Sequence, residues 1–234
     1  MLDFENLSSK DKMFLVCAAI VFFMILFVFM TGFNNKIPNK EIKIDNNQIN
    51  EKINNIGDNY ILNISYTTGN VVENYIFYKE DKMMFYEKEG DTSVYLKYND
   101  NMFVIDGPSK EMSKYDGGVS YINNPYYDYE LIQEFTKSCD YKFDSLNNVS
   151  CKLPLNTYLS YHNSKYGTNY VSEDGTIDIY VTYVNRVNKI KIDYSSFNKY
   201  VNQSDEDVIV EVKLKYNTNN FEAIYDNYKE ILES

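Results

Sequence analysis

A chain of 234 residues with 23 basic and 34 acidic side chains, formal net charge −11, has the length of one domain plus an appendage. Its hydrophobic fraction of 44% suffices for a packed core and excludes wholesale disorder. The acidic balance repels phosphate backbones and excludes nucleic acid as a partner. One histidine, three cysteines and no tryptophan leave little material for a metal centre, and no cofactor is expected.

Residues 1–11 read as a short polar, cytoplasmic tail. From Met13 the chain runs MFLVCAAIVFFMILFVFMTGF, with no charge before Lys36. About 20 apolar residues at 1.5 Å each cross a hydrocarbon core of roughly 30 Å, so a single-pass transmembrane helix is expected over 12–33. A cleavable signal peptide has an apolar core of only ~7–15 residues and a small-residue exit, and neither is present. Cys17 lies ahead of most of the apolar run, with Val16 where a lipidation site needs a small residue, and reads as a lipid-facing apolar side chain. Lys10 and Lys12 precede the segment while Lys36, Lys40 and Lys43 follow it, a count that leans slightly against an inside N-terminus. A cysteine pair in the C-terminal part, and the translocation of long domains regardless of charge, place that part outside the cytoplasm.

Residues 34–57, rich in Asn, Lys and Ile with Pro38 near the start, read as a stalk with a helical turn around 49–56. The folded body is expected over 58–234. Runs rich in Tyr, Phe, Val and Ile at 60–67, 72–79, 82–87, 93–98 and 102–106 are separated by turn residues such as Thr68-Gly69-Asn70 and Asn99-Asp100-Asn101, the spacing of an antiparallel meander. Strict alternation at 176–184, 190–194 and 208–216 predicts three more strands with one packed and one wet face. Helical spacing appears at 129–138, through Leu131, Ile132 and Phe135. It recurs at 221–232, through Phe221, Ile224, Tyr225 and Tyr228 behind a capping Asn220. The expected architecture is a transmembrane helix followed by a mainly-β (α+β) domain, a curved antiparallel sheet or half-barrel with one or two covering helices.

Cys139 and Cys151 bracket a hairpin turning near Leu146-Asn147-Asn148. Outside the cytoplasm they are expected to pair, and in a reducing compartment they would stay as two thiols. His162, in YLSYHNSKYG, reads as a surface-loop histidine. Ser160 and Ser164 are near it in sequence, but adjacency does not make a triad, and no catalytic residue is nominated. Tyr121–Glu130, YINNPYYDYE, with Tyr115 upstream, is the most unusual stretch. Tyr115, Tyr121, Tyr126, Tyr127 and Tyr129 form a candidate binding patch, since tyrosine supplies rigid amphipathic contact area. The alternative is compositional bias in a chain that holds 24 tyrosines, together with tyrosine's aptness for strands.

The run NYIFYKEDKMMFYEKEGDTSVYLKYNDNMFVIDG (74–107) and the close KIKIDYSSFNKYVNQSDEDVIVEVKLKY (189–216) followed by FEAI resemble the strand series of bacterial lipoprotein-carrier-like domains, the LolA/LolB-like half-barrels. The chain departs from them in having an expected spanning anchor instead of a lipidated cysteine or a free periplasmic form. The resemblance implies a curved sheet wrapped over helices, with an apolar concave face that holds acyl chains or other hydrophobic ligands. The function expected on this basis is a membrane-anchored extracytoplasmic binding module for lipid or another hydrophobic ligand, without catalysis. The alternative is a protein-interaction or structural component of the cell envelope, contacting an envelope protein through the tyrosine stretch.

Overall fold

The computed structural model describes residues 45–57, 59–80, 83–172 and 174–216. Within them one antiparallel sheet of eleven strands carries the body. The first six strands, β1 (Tyr60–Thr68), β2 (Val71–Glu80), β3 (Met83–Lys88), β4 (Ser93–Tyr98), β5 (Asn101–Asp106) and β6 (Met112–Lys114), follow one another as a meander. The last five, β7 (Lys142–Ser145), β8 (Asn148–Pro154), β9 (Thr176–Tyr183), β10 (Val187–Asp193) and β11 (Val208–Tyr216), form a second. The two join where β1 pairs with β11, giving the order β6-β5-β4-β3-β2-β1-β11-β10-β9-β8-β7, an open curved sheet with β6 and β7 at its edges. The first and last strands thus sit side by side at its centre, in register from Tyr60 opposite Tyr216 to Thr68 opposite Val208.

Period-two sequence sets which face is packed. Along β11, Val208, Val210, Val212 and Leu214 are buried while Lys213 and Lys215 are exposed. Ile177, Ile179 and Val181 of β9, with Ile190 and Ile192 of β10, continue the same inner face. Turns use residues that tolerate positive φ. Gly69 (φ 55°) closes β1–β2, Asn99 and Asp100 (φ 47° and 64°) close β4–β5, and Asn147 (φ 66°) closes β7–β8.

Four helices lie among the described residues, more than the one or two expected: α1 (Asn46–Asn54), α2 (Tyr129–Thr136), α3 (Leu155–Tyr166) and α4 (Ser195–Asn202). α2 is the helix expected over 129–138. The Asp128 carboxylate caps it by accepting from the Leu131 N–H at 3.2 Å, and Leu131, Ile132 and Phe135 are buried. α1 corrects the stalk reading. Ile49, Ile53 and Ile56 are buried in the main core, and Tyr129 and Gln133 donate to the Ile53 carbonyl, each at 3.3 Å, so the body begins by Asp45. α3 and α4 were not expected as helices. α3 is rich in tyrosine, starts behind Pro154 without a side-chain cap, and ends where Gly167 turns left-handed (φ 66°).

The structure bonds Cys139 to Cys151, with Cα atoms 5.7 Å apart. This ties the chain just past α2 to the inner face of β8, where Cys151 stands beside Ile179 of β9. The membrane helix expected over 12–33 and the helix expected over 221–232 fall outside the described residues. Among the described residues no helix is long and apolar enough to cross a membrane.

Replacing both cysteines, Cys139→Ala with Cys151→Ala, frees a loop between positions 12 apart in sequence. Loop-closure entropy sets the expected loss at about 3 kcal/mol, read as a lower denaturant midpoint at unchanged slope.

Candidate functional site

The tyrosine stretch does not form an exposed patch, which corrects that expectation. Tyr121, Tyr126, Tyr127 and Tyr129 are buried at 8%, 8%, 1% and 6% exposure; Tyr115 is half-buried, edge-on to Tyr95 at 5.2 Å. Each ring lands on the sheet's inner face. Tyr127 packs on Tyr75 (4.9 Å), Tyr66 (5.8 Å) and Phe77 (6.0 Å), while Tyr126 packs on Tyr66, Tyr194 and Phe197 at 5.5 Å each. Tyr126 donates to Asn198 (3.3 Å) and accepts from Asn202 (3.1 Å), which fastens α4 to the loop before α2. Burial pushes the Tyr126 phenol up to about 12, so it stays neutral in any physiological medium. The concave side, where the resemblance puts an apolar ligand, is occupied by the chain's own rings. Tyr158 and Tyr194 are fully buried there, with Phe135 between them (5.2 and 6.4 Å).

His162 is likewise not a surface histidine. It lies on α3 at 4% exposure, among Tyr166 (4.9 Å), Phe197 (5.1 Å), Tyr170 (5.6 Å) and Tyr158 (6.0 Å). A chain of hydrogen bonds fixes its tautomer. Asn163 donates to the Tyr170 carbonyl (2.7 Å) and accepts from the Tyr170 N–H (3.0 Å), so its oxygen faces Thr168. The Thr168 hydroxyl donates to that oxygen at 2.7 Å, leaving itself only an acceptor toward His162 Nδ1 at 3.0 Å. Nδ1 therefore carries the proton. Burial lowers the imidazole's pKa from 6.5, holding it neutral. Ser160 donates instead to the Thr157 carbonyl at 2.7 Å, so the two do not form a nucleophile pair.

The outer face of the sheet carries a groove of about 400 Å³ across β11, β1, β2 and β3. Register defines its floor. Lys213, Asn63, Ile76 and Glu87 form one row across the four strands, and Glu211, Ser65 and Asn74 form the next. Asn74 donates to Glu89 at 2.6 Å, closing the groove beyond β3. Glu211 meets Lys213 at 3.1 Å and Lys189 at 3.4 Å; burial pushes its carboxyl up, but the two lysines outweigh this and hold it below the usual range. Glu87 differs. It is half-buried, has no hydrogen-bond or ion-pair partner among the described residues, and burial raises its pKa above the ordinary 4.5. The Asn63 amide nitrogen, in the same row, is buried without a partner among the described residues. Glu87 and Asn63 stand two strands apart with Ile76 between them, so the carboxylate, without a counter-charge among the described residues, can receive a cationic group while the amide bonds an acceptor across Ile76. Sequence reasoning missed this site because its residues come from four strands and show no motif.

No protein-family model matches the chain, and no curated protein matches it.

Two outcomes follow for the interior. The Tyr194 hydroxyl is buried without a partner among the described residues, so Tyr194→Phe is expected to be neutral or to stabilise by about 1–3 kcal/mol, whereas Tyr194→Ala should cost about 3–5 kcal/mol in chemical denaturation. His162 binds a proton more readily unfolded than folded. Its contribution is present above pH 6.5 and lost as pH falls from there towards the folded value, so His162→Gln should flatten the stability–pH curve below pH 6.5.

Proposed function

We propose that this chain is a single-pass, membrane-anchored module standing outside the cytoplasm, which works by binding, without catalysis. The open antiparallel sheet with helices packed on its inner face supports reading the body as a half-barrel of the lipoprotein-carrier-like kind. Its use is different. An acyl chain on the inner face would have to displace Tyr127, Tyr158 and Tyr194, which are already close-packed. This favours the protein-interaction reading over lipid carriage.

The partner we propose is a lysine- or arginine-bearing segment of an envelope protein, seated in the outer groove with its cation on Glu87 and a backbone carbonyl on the Asn63 amide. Glu87 carries this reading: a half-buried carboxylate without a cation among the described residues costs stability in the free protein and is neutralised on binding. The chain's net charge of −11 steers basic partners towards it.

The test is titration of the full chain, in detergent or nanodiscs, with a lysine-rich peptide and a glutamate-rich control. Glu87→Gln should weaken binding of the basic peptide roughly tenfold or more, the size of one charge-assisted contact. Because the folded pKa of Glu87 is raised, its stabilising protonated form is present below pH 4.5 and lost as pH rises through that folded value. Glu87→Gln should therefore raise stability at pH 7 and lose that advantage at pH 4. Basic-peptide binding unchanged by Glu87→Gln, or lipid co-purifying in native mass spectrometry, would overturn the proposal.

A further inference from the structure

Arg186 is the single arginine of the chain. It stands in the turn between β9 and β10, where the Val184 N–H donates to its carbonyl at 3.1 Å. Its guanidinium lies over the Tyr216 ring, 4.9 Å from the centroid, and the Tyr216 hydroxyl donates to the Val187 carbonyl. The last turn of α1 brings a second cation to the same turn. Lys52 donates to the Asn185 carbonyl at 3.0 Å and sits 5.6 Å from the centroid of the Tyr183 ring. Neither cation meets a carboxylate among the described residues. Stacking fixes the plane of the guanidinium and leaves its N–H edge available to an acceptor.

Both side chains line a polar cavity of about 480 Å³, together with Gln48, Glu51, Asn55 and Asn185. Helical spacing explains the α1 wall. Ile49 and Ile53 bury one side of the helix, so Gln48, Lys52 and Asn55, at i, i+4 and i+7, share another. The Gln48 and Asn55 carboxamides make no hydrogen bond among the described residues. We propose that this cavity binds a phosphate group, with Arg186 and Lys52 as its two cations and these two carboxamides as further donors.

Donor number and charge select phosphate over carboxylate. Arg186 offers a fork of N–H groups, Lys52 keeps two protons beyond its bond to Asn185, and each carboxamide adds two. A carboxylate has two oxygens and one charge, whereas a phosphate monoester has three free oxygens and nearly two charges, one for each cation. Two opposing charges also lie here. The carbonyl end of α1 carries about half a negative charge, and Glu51 in the lining carries a full one, so the site attracts an anion only while both cations are present. The net charge of −11 is spread over the whole chain, and at physiological salt charges beyond about 8 Å are screened, so the two cations at contact decide. A cavity of this size also admits the group that bears the phosphate, a soluble phosphomonoester or a lipid headgroup. It shares no lining residue with the outer groove and does not depend on what the groove binds.

A chain with one arginine has one arginine Nε–H resonance, so the full chain labelled with ¹⁵N-arginine, in a phosphate-free maltoside detergent, reports on this site alone. Titration with inorganic phosphate, against sodium chloride at equal ionic strength and against acetate, should shift that resonance saturably for phosphate only. Lys52→Gln should weaken phosphate roughly tenfold or more, the size of one charge-assisted contact. Glu51→Gln should tighten it by about two- to fivefold, and Lys199→Gln, which removes an exposed cation elsewhere, should leave it unchanged. Vesicles of phosphatidylcholine with and without phosphatidic acid separate the two sources. A shift that needs phosphatidic acid assigns a headgroup, and one produced by free phosphate in either vesicle assigns a soluble ligand. A resonance that phosphate does not move, or that chloride or acetate moves as far, overturns the proposal, as does phosphate binding unchanged by Lys52→Gln.

Discussion

An open sheet has two faces and water tolerates apolar rows on neither, so the whole architecture answers to how each row is covered. On the inner face of β8 to β11 and β1 to β3, the cover is four helices and the tyrosine-rich loop before α2. Towards β6 the apolar side chains of β3 to β5 change sides, so Phe85, Leu96 and Phe103 point outwards. A twisted sheet whose apolar face switches along its width cannot be covered from one side. This is why a chain with one sheet carries two separate cores, and why the groove lies on the outer face near the changeover.

Tyrosine suits the inner cover because each ring buries a large area while its hydroxyl can hold a neighbour. Tyr126 binds α4 through Asn198 and Asn202, Tyr129 reaches the end of α1, and Tyr166 donates to Asp128 at 2.6 Å while Lys165 meets the same carboxylate at 2.8 Å. Asp128 thereby caps α2 and clamps α3 to it. Such links fix helix positions that apolar contact alone would leave free to slide. Their cost appears at Tyr158 and Tyr194, whose hydroxyls found no partner among the described residues.

Much of the sheet was legible because period two is a local signal. Val208, Val210, Val212 and Leu214 declare their face without knowledge of any other strand. The short strand β6, the helices α3 and α4 and the role of α1 were not legible, for distinct reasons. In α3 three tyrosines raise strand propensity and no cap marks the start, so tertiary burial of Leu155, Tyr158, Leu159 and His162 decides the state. In α1 and just past it the isoleucines at 49, 53 and 56 were spaced for a helix, but the polar residues around them read as a stalk. The tyrosine stretch was singled out correctly as unusual and assigned the wrong side: composition reports contact area, whereas burial depends on where the loop crosses the sheet. The groove was invisible because Glu87, Asn63 and Lys213 are neighbours only through register.

The groove and the aromatic core lie on opposite faces of the sheet. When the inner face is the binding face, it must stay loosely packed to admit its ligand, and the sheet loses stability there. Here the inner face is filled, with His162 held neutral and Cys151 joined to Cys139, and the groove is lined by polar side chains of the outer face. The exception is Glu87, half out of water without a counter-charge among the described residues, on the strand that also supplies Phe85 to the outer apolar row. Its neighbours across the row are Ile76 and, beyond it, Asn63, so the sheet itself gives this carboxylate an apolar side chain and an amide two strands away rather than a cation, and its partial burial raises its pKa.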